Sequence, residues 1–394
     1  MSSPLHPPQA QDRAGVYRLA THLIQGRHVQ MPAWIAAVKA VPRQHFVPAY
    51  LTRCTGRFDV PSWEPFDAET HRPTWLANVY SDRALVVETD PLSGEPTCTS
   101  TMPSVSARML EESYLSDGHR ILEIGTGTGY PTALLCHRLG DGRVCSMDIN
   151  PARAVSATRH LAACGYRPQL ATGDGRKGWP DGDGGGFERL ISWCSVTTIP
   201  AAWLRQTHPK AVILTGLGNS LGSGICRLTH TGNGTASGGF LPGPGALLPA
   251  RSNATGYDVR PKAPYLPPTE GIRESPLTAA DLLHRDTFRL LAGFALTDVA
   301  LVQHRDANGG AHVQLQHPDG SWARTPAPGE PDTGYVTWGG PRQLWDELET
   351  VWATWRHHGQ PGPHPIGISI TPDRQRVWLH SPLGPSWTLP TPTP

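Results

Sequence analysis

The spacing of apolar positions changes character along this chain, and each change predicts a different kind of element. After a head that reads as disordered, residues 14–25 and 32–41 carry apolar side chains at helical intervals. The second of these segments opens with Pro32 at a first-turn position and places Trp34, Ile35 and Val38 on one face, so both helices are expected to cap a sheet. A Pro- and Trp-bearing stretch from about 52 to 78 reads as loop. Ala84–Val87 then reads as a strand and Ser104–Tyr114 as a helix. From 121 to 217 short apolar runs alternate with helical segments of about 10 to 15 residues, the pattern of a parallel sheet with helices on both faces. Ligands of such sheets bind beyond the carboxyl ends of the strands.

Beyond 217 the pattern shifts again. Ile225–Pro249 reads as a strand, a Gly-rich turn and a returning strand, and 251–275 as a Pro-rich linker. Seven of the 13 tryptophans follow that linker. Leu344, Leu348, Val351, Trp352 and Trp355 have helical spacing, and Ile366–Ile370 and Arg376–His380 read as strands around a Pro372-Asp373 turn. The expected organisation is an N-terminal helical region with its loop (1–78), a nucleotide-type α/β domain (79–250), the linker (251–275) and a small C-terminal α+β domain (276–394). The tryptophan stripe reads as core, because large aromatics supply much of a small domain's buried area. The run Asp181–Gly186 reads as a passive connection.

Candidate chemistry concentrates where the apolar strand Ile121–Ile124 meets Gly125-Thr126-Gly127-Thr128-Gly129 and a helical segment. Glycines there let a ligand lie directly on the backbone. The spacing is G-x-G-x-G rather than G-x-G-x-x-G, and Glu123 stands just before it, which suits a cationic ligand better than a phosphate. Asp148, followed by Ile149, ends the next strand, 23 residues beyond Gly125, where an acid can accept both ribose hydroxyls. Gly173-Asp174-Gly175 places a third acid at a third strand end, within reach of an adenine amino group. Each acid alone is an ordinary turn carboxylate; three in this order point to an adenosine-like ligand without phosphates.

In these features the sequence resembles the class I S-adenosylmethionine-dependent methyltransferases, with a Rossmann-like doubly wound sheet. Ala40–Pro48, Tyr80-Ser81-Asp82, Thr99–Pro103 and Ile199–Leu204 narrow the resemblance to the protein-L-isoaspartate O-methyltransferase family. The resemblance implies S-adenosyl-L-methionine as cofactor and S-adenosyl-L-homocysteine as product. It implies cofactor contacts from Glu123, Gly125, Thr126, Gly127, Gly129, Asp148, Ile149, Gly173, Asp174 and Gly175. That family carries a T-x-S-x-P segment ahead of the glycines; here Thr101 stands in the serine's place, so Thr99, Ser100 and Thr101 are the candidate catalytic hydroxyls. Trp193, Cys194, Ser195 and Val196 are expected to form the opposite, substrate-binding wall. Pro131, Met102 and Trp193 depart from the family pattern and put the shape of the acceptor pocket in question.

Two further segments, Gly340–Asp346 and Ile370–Leu379, resemble a longer actinobacterial branch encoded with ribosomal-peptide maturation systems, beside ATP-grasp cyclases (graspetides) or lanthipeptide synthetases. That branch implies methylation of an Asp carboxylate in a cyclised precursor peptide, with closure of the ester to aspartimide or onward to isoaspartate. General isoaspartate repair is the alternative, and the added length is taken to argue against it. A fold kept only for peptide binding, and a small-molecule methyltransferase, are the remaining readings.

Composition bounds the partners. With 34 Lys+Arg against 33 Asp+Glu there is no electrostatic case for general nucleic-acid binding, which would need a basic face. The odd set of seven cysteines lacks metal-ligand spacing, no metal is expected, and a reducing cytoplasm fits better than an oxidising compartment. The N-terminus shows no signal-like pattern and no apolar run approaches membrane-spanning length. Nothing in the pattern fixes an oligomeric state.

Overall fold

The computed structural model describes residues 10–55, 61–180, 186–243, 245, 247–254, 269–305, 311–326 and 334–391. The head, the glycine-rich connection at 181–185 and most of the linker therefore lie outside the described residues.

The central sheet has 11 strands. Its parallel part runs in the order Gln169–Thr172, Val144–Asp148, Ile121–Ile124, Phe187–Val196, Thr207–Gly218. Ile121–Ile124 and Val144–Asp148 are buried at every position, as strands covered on both faces must be. Helices Tyr130–Leu139 and Pro151–Ala163 follow them, the second capped by the Asn150 side chain, which accepts from the Ala152 N–H.

The expected N-terminal helices are present as Ala10–Gln25 and Pro32–Ala40, with Trp34 and Val38 buried and Ile35 partly so. They pack with Ile121, Leu134 and Leu135 in one core cluster. The stretch expected as loop is different. Ala49–Thr55 and Pro61–Asp67 form a hairpin, and Asp67 caps a helix over Ala68–Val79 by accepting from the N–H groups of Glu69 and Thr70. Prolines disguised both elements: Pro61 and Pro65 sit on an edge strand, where a missing N–H is tolerated, and Pro73 lies inside a helix broken at His71. Leu85–Thr89 and Pro96–Ser100 complete this four-stranded antiparallel sheet.

The C-terminal segment, expected as a domain of its own, is instead joined to the main sheet. After Thr207–Gly218 the sheet turns antiparallel through Ser223–Gly232 and Thr235–Phe240, and the next strand is Ile366–Ile370, paired Ala236↔Ile370 to Gly239↔Gly367. Gln375–Leu379 and Ser386–Thr388 finish it. Between these pieces lie a five-stranded antiparallel sheet and the helices Ala279–His284, Asp286–Ala295 and Leu344–His357. One apolar cluster runs from Leu122 and Phe187 through Leu228 and Phe240 to Phe288, Trp345, Ile368 and Leu389. The tryptophan stripe belongs to it: Trp352 and Trp355 have ring centroids 5.3 Å apart and both pack on Phe288. An unbroken core requires the two halves to fold against each other, which local periodicity cannot reveal.

Candidate functional site

The strand Ile121–Ile124 ends in a turn held open by backbone. Gly125, Gly127 and Gly129 have φ of 90°, 54° and 87°, a region that side chains with a Cβ avoid. The N–H groups of Gly125 and Thr126 donate to the Met147 carbonyl, and the Thr126 and Ser146 hydroxyls lie 2.6 Å apart, tying the turn to the neighbouring strand. A Cβ on Gly125 would stand 3.3 Å from the Cys194 Sγ, and one on Gly175 only 2.3 Å from Ile124 Cγ2. The turn thus forms the bare floor of a cleft that is partly open to solvent. Ile124–Thr128 make the floor, and walls rise from Met147–Ile149 with Asp174–Arg176, from Thr97–Thr99 with Thr101, and from Ser192–Cys194 with Leu248–Arg251.

The three acids meet different fates. Asp148 lines the cleft, with one oxygen accepting from the Gly127 N–H at 2.8 Å and the other from the Asn150 N–H at 2.9 Å. Burial raises its pKa against those two donors and the Arg251 charge. Glu123, expected to face the ligand, lies fully buried beneath the floor, where its carboxylate accepts from Thr132 Oγ1 at 2.6 Å and Trp193 Nε1 at 2.7 Å. Burial raises its pKa too, the hydrogen bonds opposing. Asp174 is at the cleft but is gripped in a fork by Arg176, with Nη2 2.8 Å from its Oδ2. Burial would raise its pKa; the bonds and charge of Arg176 outweigh that and hold it below the usual carboxylate range.

Of the other expected residues, Thr126, Ile149 and Gly175 line the cleft, whereas Gly173 lines an adjoining hollow. Gly129 packs toward Ala157, Leu161 and Phe46 as the first residue of the following helix's cap. Thr99 and Thr101 face the cleft; Ser100 does not. Its hydroxyl is turned away to accept from Arg43 Nη2 at 3.0 Å and Nε at 3.3 Å. Those two bonds hold the Ser100 hydroxyl away from the cleft. Trp193 and Cys194 form the opposite wall, but Ser195 is buried and donates to the Leu247 carbonyl, and Val196 is core. Burial pushes the Cys194 thiol up to about 12, against ionisation to a thiolate. All seven cysteines are free, and no metal-holding cluster of His, Cys, Asp and Glu occurs among the described residues.

Two arginines escaped the sequence reading. Arg43, fully buried, donates to the carbonyls of Val79, Arg83, Ser100 and Thr101, stapling the loop that carries Thr101; burial lowers its pKa to about 10. Its only sequence signal was the Val41-Pro42-Arg43 context. Arg251, which follows a two-residue strand paired with Cys194 and Ser195, had none.

Residues 64–236 match the protein-L-isoaspartate(D-aspartate) O-methyltransferase (PCMT) family. A protein-L-isoaspartate O-methyltransferase of Methylorubrum extorquens (strain PA1) is 28% identical over 226 residues, 57% of this chain and 82% of the relative. One from Anaeromyxobacter sp. (strain Fw109-5) is 30% identical over 211 residues, 52% of this chain and 81% of the relative. The chain belongs to the protein-L-isoaspartate O-methyltransferase family. It is an S-adenosylmethionine-dependent carboxyl O-methyltransferase with the class I fold, and the glycine floor and Asp148 are compatible with that cofactor. A solved protein-L-isoaspartate O-methyltransferase structure aligns at TM-score 0.52 and 17% identity over 93% of this chain and 100% of its own. Its fold therefore has counterparts along the C-terminal region as well.

Proposed function

We propose that this enzyme esterifies the side-chain carboxylate of an aspartate in a cyclised ribosomal peptide in the cytosol, the ester then closing to aspartimide or opening onward to isoaspartate. S-adenosylmethionine, when bound, supplies a methyl group already activated on a sulfonium. Asp148 would take the ribose hydroxyls, the Gly125–Gly127 backbone would lie under the cofactor, and Asp174 would meet the adenine amino group by exchanging part of its bond to Arg176. Glu123 acts from beneath, fixing Trp193 and the helix start through Thr132. Thr99 and Thr101 would steer the acceptor. An ionised carboxylate needs no general base, so positioning carries the catalysis, worth about 7–11 kcal/mol when reactants are held at near-attack distance.

The observation that most supports a dedicated substrate is the attachment of the C-terminal strands to the acceptor side. Gln375, within one of the two segments that resemble the peptide-maturation branch, accepts from the Ile199 N–H at 2.8 Å and donates to its carbonyl at 2.7 Å. Ile199 follows the strand bearing Trp193 and Cys194, so the C-terminal region can set the shape of that wall and, with it, peptide selection. General isoaspartate repair is the second reading, favoured by the names of the curated relatives. Cyclised precursor, linear precursor and a generic isoaspartyl peptide, offered as methyl acceptors and followed by mass spectrometry, separate the two. Dedicated maturation predicts preference for the cyclised peptide by more than tenfold, preorganised rings losing little entropy on binding; equal rates would establish repair.

A further inference from the structure

The reading of Thr97–Thr101 and Trp193–Cys194 as acceptor walls leaves one demand unmet. A carboxylate can attack a methyl group only when ionised, and this cleft would receive that anion beside Asp148, itself buried. Bringing a second negative charge into such a place is unfavourable without a cation to hold it besides the sulfonium, whose charge is spent in the transfer. Among the described residues, two cationic side chains line the cleft, Arg176 beside Asp174 and Arg251 between Thr97 and Cys194.

We propose that Arg251 binds the acceptor carboxylate and so selects an anionic acceptor. Its position follows from backbone pairing. Leu248 and Pro249 run parallel to Cys194 and Ser195, and the Ala250 N–H donates to the Ser195 carbonyl at 2.8 Å, locking the short strand onto one wall. The next residue is Arg251, only 9% exposed. Its Nη2 crosses to the other wall and donates to the Thr97 carbonyl at 3.2 Å, two residues before Thr99, while Nη1 donates to the Ala254 carbonyl at 3.0 Å. These bonds fix the guanidinium plane between the two walls. A guanidinium has five N–H donors in a planar fork that matches a carboxylate. Its charge also reaches both Asp148 and Cys194, opposing the rise that burial imposes on each. The guanidinium therefore faces the donor floor and the acceptor walls together, where the reacting oxygen must sit.

This inference rests on the proposed carboxyl methylation, and the parent enzyme tests that separately: a parent that methylates neither the cyclised precursor peptide nor a short isoaspartyl peptide defeats the underlying reading and not the arginine's role in it, and the better acceptor of the two is carried forward. With that peptide as probe, Arg251→Gln and Arg251→Lys are compared for acceptor KM, kcat and S-adenosylhomocysteine Kd. Charge-assisted bonds of this kind are worth at least about tenfold each. Arg251→Gln should raise acceptor KM by at least tenfold with S-adenosylhomocysteine Kd within about twofold, and Arg251→Lys, which keeps charge but not the fork, should fall between. Added guanidinium ion should recover part of the activity of Arg251→Ala, a result that a purely structural role would not produce. Should Gln unfold the wall, the Lys variant still decides. The proposal is overturned if Arg251→Lys leaves acceptor KM unchanged, or if Kd for S-adenosylhomocysteine weakens by the same factor as KM.

Discussion

The floor of the cleft and its acceptor walls are assembled over very different stretches of chain. The floor comes from two consecutive strand-turn-helix units, Ile121–Leu139 and Val144–Ala163, and its key contacts, Gly125 N–H to Met147 and Gly127 N–H to Asp148, join neighbouring strands. The walls draw on Thr97–Thr101, Ser192–Cys194 and Leu248–Arg251, and are braced by Arg43 from one side and Gln375 from the other. A floor built from local motifs can remain constant while walls built from remote segments are reshaped.

The severest way to break this comparison is to remove residues 255–394. That deletion strips Ile366–Ile370 from Ala236–Gly239 and cuts the core cluster that reaches from Leu122 to Leu389. The fragment should lose cooperative thermal unfolding and S-adenosylhomocysteine binding together; a fragment that melts cooperatively and still binds would mean the floor stands without its remote braces. Next in size, Asp148→Ala removes a carboxylate whose charge-assisted bonds to ribose would be worth about 1.5–3 kcal/mol each, so cofactor Kd measured by calorimetry should weaken at least tenfold. Unchanged affinity with normal circular dichroism would take Asp148 out of the site. Thr101→Ala sharpens the contrast from the other side: turnover should fall several-fold with cofactor Kd nearly constant, and Thr101→Ser should keep most activity.

The smallest expected effect is one of pH. Glu123 has a folded-state pKa raised by burial. A carboxyl raised in this way contributes stability that is fully present below its unfolded pKa and lost as pH rises through the folded one. Glu123→Gln should therefore flatten the decline in melting temperature between weakly acidic and neutral pH, leaving the part due to Asp148, which has the same sign. A variant whose melting temperature declines as steeply as the parent's would deny Glu123 that role.

How much was legible in the sequence follows the same division. The glycine turn, Asp148, the alternating α/β order and the helical tryptophan stripe all announce themselves within one or two elements. Ser100 is indistinguishable from its neighbours in sequence because adjacent hydroxyls look alike, whereas in the fold Arg43 draws its hydroxyl away from the cleft. Glu123 was aimed at the ligand because its position at the strand end is informative and its downward orientation, set by Trp193 and Thr132, is not. The 49–79 hairpin and helix were hidden by Pro61, Pro65 and Pro73. Arg251 and Gln375 act through segments that meet only after the sheet has closed, so no local pattern marks them.

Methyl transfer to a carboxylate is measured most directly by following isotopically labelled methyl from S-adenosylmethionine into a peptide carrying one Asp or isoaspartyl residue, beside its Asn counterpart. The predicted result is label on the carboxylate-bearing peptide alone, gained as a single methyl and released as methanol on brief alkaline treatment. Label that survives alkali, or that appears equally on the Asn peptide, would contradict it.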